Sequence, residues 1–314
     1  MHNFFNTILI LLIGLTLWGC NSKTGDNKHS LKVNVLFHPV QGAKFYYTVT
    51  NEMNTELKVN AQKINISKKA EIGMIYEMLK DSAGNRELKV TYDKFHIVTK
   101  DKDGNTETWD AEKAEESEEQ MDKVLNYIKG NSLLITVSPK GDVLNVTGTQ
   151  QINDKIMSGL STYSAGDRAK IQAQLSQLIG ETFVKNNLQA SFKLFPDSAI
   201  AVGSNWTRKA QPTGELTFDA DNKFTLEGIA DDVASVSAKA IIKNVHSSGA
   251  DMFGTGAQVD ISGEQTGNFE TNVKTGMLLS GKTETTLDGV VNVMNHSVPI
   301  SIKTNKKISA KKME

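Results

Sequence analysis

Cys20 is the only thiol in this chain of 314 residues, and so its most polarisable nucleophile. Without a second cysteine it cannot close a disulfide within the chain or complete a thiolate metal site. A single sulfur can still accept a lipid or acyl group. Other reactive residue types are present but poorly spaced. His2, His29, His38, His96, His246 and His296 are scattered, and none forms the His-Glu-x-x-His pair of a zinc protease. No Gly-x-Ser-x-Gly elbow presents a serine nucleophile. Lys274-Thr275-Gly276 matches the Lys-Thr-Gly of penicillin-recognising enzymes, but the Ser-x-x-Lys that should accompany it falls at Ser309 to Lys312, and a hairpin turn explains the match. Asp101, Asp103, Asn105 and Glu112 stand at the first, third, fifth and twelfth positions of a calcium loop. The obligatory glycine is replaced by Thr106, and Lys94 to Lys100 alternates as a strand, so a hairpin turn is expected there too. These spacings give no catalytic residue, no metal site and no cofactor, and no enzyme is expected.

The surroundings of Cys20 say more. Phe4 to Trp18 reads FFNTILILLIGLTLW, without a charge. That is shorter than the roughly 20 apolar residues of a spanning helix and fits the apolar core of a secretory signal. Leu17-Trp18-Gly19-Cys20 resembles the lipobox of bacterial lipoproteins, with an aliphatic residue three before the cysteine and a small one at the scissile bond. The expectation is a signal peptide over 1–19, cleavage between Gly19 and Cys20, and lipidation of Cys20, palmitate included. Two features depart from the pattern: Met1-His2-Asn3 lacks a lysine or arginine, and Trp18 is large. One acyl chain binds a membrane with a constant of only about 10⁴ M⁻¹, so the several chains of such an anchor hold far more firmly. Residues 20–30 then read as the acylated cysteine and a flexible tether. Asn21 is not the aspartate of inner-membrane retention, which leaves the outer membrane, facing the periplasm, as the expected address.

The remainder, 31–314, is expected to form one globular domain. The whole chain, with 35 basic and 36 acidic residues and a pI near 6.6, lacks the basic excess of a nucleic-acid binder. Apolar residues alternate with polar ones at Val33, Val35 and Phe37 and at Phe45, Tyr47 and Val49, the period of half-buried strands. Turn signals separate the runs at Asp81 to Asn85, Asp101 to Asn105 and Pro139 to Asp142. Across the last of these, Leu133, Ile135 and Val137 can face Leu144 and Val146. Helical spacing predicts helices near 113–129, 150–161 and 166–185, the last opened by a capping box at Ser164 and Asp167. The acids between Glu112 and Asp122 read as a solvated first turn, suited to the helix dipole. Strand character returns after Phe192, Val273 to Gly276 marks another hairpin, and the basic C-terminal KTNKKISAKKME is expected to fray. The fold class expected is α+β and β-rich: a curved antiparallel meander, half-barrel-like, with a central helical insert. Gly42 and Gly203, each three residues before an aromatic ring, suggest that halves 31–148 and 192–308 are duplicated, joined by helices near 150–185.

SPKGDVLNVTG (Ser138 to Gly148), LFPDSAIAVGSNW (Leu194 to Trp206) and NVKTGMLLSGKTE (Asn272 to Glu284) together resemble an uncharacterised family of Bacteroidota lipoproteins. The resemblance implies a duplicated, strongly curved antiparallel sheet with helices at one side, broadly similar to the half-barrel of the Lol-type lipoprotein carriers. It supplies no catalytic residues. In that phylum Asp81-Ser82-Ala83 and Asp197-Ser198-Ala199 match a short O-glycosylation pattern. The function expected is a non-enzymatic, membrane-anchored envelope lipoprotein whose sheet holds a lipophilic ligand. The alternative is a protein- or glycan-binding scaffold module of the outer membrane.

Overall fold

The computed structural model describes residues 32–59, 62–82, 84–113, 115, 120–210, 217–246, 258–293 and 296–314. Gly19, Cys20, the leader and the tether lie outside them. Among the described residues twelve strands form one open antiparallel sheet: β1 (Lys44–Val59), β2 (Gln62–Ser82), β3 (Asn85–Lys100), β4 (Thr106–Asp110), β5 (Ser132–Val137), β6 (Val143–Thr147), β7 (Asn205–Ala210), β8 (Thr217–Ala230), β9 (Val233–His246), β10 (Gln258–Asn272), β11 (Leu278–Val293) and β12 (His296–Lys312). Their order is β6-β5-β3-β2-β1-β12-β11-β10-β9-β8-β7, with β4 beside β3. Four helices, α1 (Gln120–Ile128), α2 (Thr149–Gly159), α3 (Ala165–Ile179) and α4 (Glu181–Phe192), fall between β4 and β7 in sequence. The β-rich class with a helical insert is as expected.

Several elements differ from the sequence-based expectation. The basic C-terminus does not fray. As β12 it lies at the middle of the sheet, paired with β1 from Phe45↔Lys312 to Leu57↔Ile300 and with β11 from Ser280↔Ser309 to Val293↔His296. Its alternation runs through the lysines: Ile300, Ile302, Thr304, Lys306 and Ile308 share one face, and Lys303 and Lys307 the other. The helix expected over 166–185 is two, because Gly180 takes an extended conformation (φ −60°, ψ 143°) and caps α4. The segment after Phe192 is a loop until Asn205. Val33, Val35 and Phe37 alternate but join no ladder. Lys32 to Pro39 is a strap, bridged at Val33↔Ile200, with Phe37 N–H donating to Pro139 O and His38 N–H to Thr275 O, both at 2.8 Å. Leu144 is exposed, since a register shift between Thr136 and Val137 brings Val143 to the core instead. Asp122 is buried rather than solvated, and its Oδ1 accepts the Asp110 N–H at 2.7 Å.

The local predictions correspond to observed turns. The Asp101 carboxylate accepts the N–H groups of Asp103 and Asn105, closing the β3–β4 hairpin, while Glu112 pairs with Lys129. Ser164 Oγ accepts the Asp167 N–H at 3.1 Å. The two glycine turns are bonded alike. Gly42 N–H donates to Met78 O and Met78 N–H to Ala43 O; Gly203 N–H donates to Leu226 O and Leu226 N–H to Ser204 O.

Glycines on the inward face let the sheet bend. A Cβ on Gly263 would lie 1.9 Å from Thr286 O, and one on Gly289 would lie 2.0 Å from Asp260 O. Neighbouring strands press too close there for any side chain. The ring of Phe269 lies over Gly267 and Gly281, where added Cβ atoms would each come within 3.0 Å of it. Helices cover one end. Tyr47, Tyr76, Leu88, Ile97, Leu125, Ile128, Ile156, Leu188 and Phe192 form its core. Strap residue Phe37 packs on Phe192 with ring centroids 4.7 Å apart. A second cluster around Trp206, Phe224 and Leu226 fills the β7–β9 side. Gly289→Ala should lower the stability of the sheet by about 1–3 kcal/mol, read as a lower urea midpoint with an unchanged m-value.

Candidate functional site

Antiparallel register places side chains on the inward face in rows running across the strands. One row is Thr99, Lys68, Met53, Thr304, Thr285, Gln265, Ala240, Asn222 and Arg208, all buried. The next row towards the helices includes Asn51, Lys306 and Thr283 as direct neighbours. Above this polar belt the face is aromatic and aliphatic, with Tyr47, Val49, Ile72, Phe95 and Ile308. Below it are Ile242, Ile261, Leu287, Ile300 and Ile302, again buried. A polar stripe thus crosses the sheet between two apolar zones.

Inside a protein such a stripe is costly unless its groups are paired. Gln265 Nε2 donates to Thr285 Oγ1 at 2.9 Å. Asn222 Nδ2 approaches the carbonyls of Ala220 and Arg208, each at 3.5 Å. The Asn51 amide oxygen and the Thr99 hydroxyl are buried with no partner among the described residues.

Helix α4 roofs the apolar zone. Phe183, Val184, Leu188 and Phe192 face Tyr47, Ile72, Tyr76 and Ile308 across a crevice of about 90 Å³, within a recess of about 870 Å³ counted to its open mouth. A second crevice of about 40 Å³ adjoins it, lined by Gln265, Thr283, Thr285 and Thr304. The two share Ser191, Leu278, Lys306 and Ile308. Lys306 therefore stands where an apolar recess meets a hydroxyl-lined one. Removal from water pulls its ammonium down to about 8. Tyr47 donates its hydroxyl to Leu278 O at 2.7 Å, and burial pushes the phenols of Tyr47, Tyr76 and Tyr92 well up.

The positions singled out in the sequence are not gathered in this recess. His38 lies beside Arg86, and His96 Nδ1 is 3.0 Å from Asp110 Oδ2. Lys274 and Thr275 form the β10–β11 turn. His2, His29 and Ala83 lie outside the described residues, and Asp197-Ser198-Ala199 is an exposed bend. Lys306, read as part of a loose tail, is the residue sequence reasoning missed. The signal was available: the period of two continues from Ile300 to Ile308 without a break.

Partial burial of this lysine has a measurable consequence. Above about pH 8 the folded chain loses its proton while the unfolded chain keeps it, so stability rises with pH. Unfolded tyrosines, which ionise near 10, bound that window at about pH 9.5. Urea unfolding at stepped pH should show the rise, and Lys306→Met should flatten it.

A family model described as a family of unknown function, DUF6263, matches residues 83–278. No curated protein matches in sequence. Among solved structures, one described as lipid–protein interactions in lipovitellin shares 9% identity at a TM-score of 0.46, over 87% of this chain; this chain spans 25% of that one. DynF, from the dynemicin pathway of Micromonospora chersina, shares 6% identity at a TM-score of 0.19, over 96% of this chain and 92% of its own. Pseudomonas aeruginosa OccK7 shares 7% at 0.25, over 87% of this chain and 100% of its own. All three scores are low and bear on nothing that this chain binds. The family match covers well over half of the chain, and the protein belongs to the DUF6263 family of unknown function.

Proposed function

We propose that this protein is a non-enzymatic, lipid-anchored protein of the cell envelope that holds an apolar or amphipathic ligand on the inward face of its sheet. The observation that carries the reading is the crevice between α4 and the sheet, apolar on one side and opening onto the polar belt on the other. The crevice itself is about 90 Å³ and opens to solvent. Its walls are aromatic and aliphatic, so transfer of one methylene from water into it is worth about 0.8 kcal/mol. A chain of ten or more carbons would gain enough to offset the cost of immobilising it.

The anchor rests on the sequence around Cys20. The uncharged run Phe4 to Trp18, Leu17 three residues before the cysteine and Gly19 at the bond to be cut together support lipidation. Asn21 supports the outer membrane, facing the periplasm, over the inner one. The resemblance to Bacteroidota lipoproteins, and in shape to Lol-type carriers, is in keeping with both parts.

Native mass spectrometry and solvent extraction of gently purified protein should recover a lipophilic molecule; repeated recovery of none would remove the ligand-binding reading. Ser191→Phe puts a ring where the two crevices meet, and should weaken binding of a dodecyl-chain fluorescent reporter at least about tenfold without unfolding the protein. For the anchor, the intact mass of native protein should correspond to a chain beginning at Cys20 with acyl groups attached. Cys20→Ser should move the protein out of the detergent phase.

A further inference from the structure

We propose that Lys306 is the head-group site for a single-chain amphiphile with an anionic head, its chain lying under α4 and its head turned into the threonine-lined crevice. The proposal rests on the ligand-binding reading above and adds the charge of the ligand.

Lys306 lines both crevices, so a molecule that fills the apolar one brings its end group to this ammonium. The lysine makes no hydrogen bond or ion pair among the described residues, and removal from water alone accounts for its displaced pKa. Its neighbours in register are neutral: Asn51 on β1 and Thr283 on β11. Asn51 is 6% exposed, and its amide oxygen has no donor among the described residues. An amide in that position can turn its NH₂ toward an entering anion. Thr283, Thr285 and Thr304 offer hydroxyl donors in the same crevice.

No acid competes for the site from the elements packed around it. Every carboxylate of β1, β10 and β11 has the parity of the outer face, where Glu52 meets Lys69 and Glu284 meets Lys282. The α4 residues that line the recess are Phe183, Val184, Asn187, Leu188, Ser191 and Phe192, none of them acidic. Carboxylates of inward parity stand at the rim: Glu107 on the edge strand β4 and Asp81 at the β2–β3 tip, where it pairs with Arg86. A desolvated ammonium without a counter-charge is unfavourable, and an anion arriving there gains a charge-assisted hydrogen bond. A cationic head would be repelled, and a neutral one would leave the charge uncompensated.

The test uses the full chain stripped of bound lipid, titrated calorimetrically at pH 7 with dodecanoate and with dodecan-1-ol, both below their aggregation limits. Dodecanoate should bind at least about tenfold tighter than the alcohol. Lys306→Met should bring that ratio close to one by weakening dodecanoate and leaving the alcohol unchanged. Lys306→Arg, which keeps the charge, should preserve the ratio. If the alcohol binds and dodecanoate binds no better, or if the preference survives in Lys306→Met, the head-group assignment is wrong while the apolar site stands. If neither chain binds the wild-type protein, both readings fall. Should Lys306→Met not fold, by circular dichroism, Lys306→Gln takes its place, and loss of the preference is required of it equally.

Discussion

An antiparallel sheet sends every second side chain to the same side, and a sheet as wide as this one has a large face to remove from water. No second sheet is packed against it among the described residues, and four short helices reach only one end. Bending the sheet around its own inward side chains is the way left to bury the rest. The close approach of β10 and β11 at Gly263 and Gly289 follows from that need, as does the ring of Phe269 laid over two glycines. So does the layering of the inward face. Threonine, asparagine and glutamine recur in one row across the strands, and the polar belt is the result.

Burying a polar belt sets a second requirement. A hydroxyl or amide withdrawn from water must find a partner or cost the fold free energy. Gln265 and Thr285 satisfy each other, whereas the Asn51 amide oxygen and the Thr99 hydroxyl find no partner among the described residues. Stability alone would have replaced these residues with apolar ones of similar volume. Of the two, Asn51 is the register neighbour of Lys306, which lines the crevice under α4.

How much of this was legible in the sequence depended on the range of the interaction. Turns that rest on local chemistry were readable: Asp101 capping its own hairpin, Ser164 capping α3, the glycines at 42, 141, 203 and 276. What rests on distant pairing was not. Local alternation from Ile300 to Ile308 marks β12 as a strand but not its place, which its partners β1 and β11 decide, and β1 lies far away in sequence. The strap at Lys32 to Pro39 has a strand's alternation but spends its hydrogen bonds on two hairpin turns and on Ile200. Leu144 was misread because one register shift in β5 exchanged it with Val143. The candidate site was invisible for the same reason as β12, since Lys306 belongs to it. Its polar neighbours come from four strands brought together only by register.

The place of β12 has a further consequence, for the order in which the molecule can be assembled. The meander that ends in β1 and the one that ends in β11 have no ladder with each other until β12 pairs between them. During synthesis, two long unpaired edges therefore exist together, each able to recruit a foreign strand. Lysines on the outer side of β12 make that stretch soluble while it waits. β12 is thus the keystone, and a chain that stopped before His296 would lose the seam between its halves rather than a loose end.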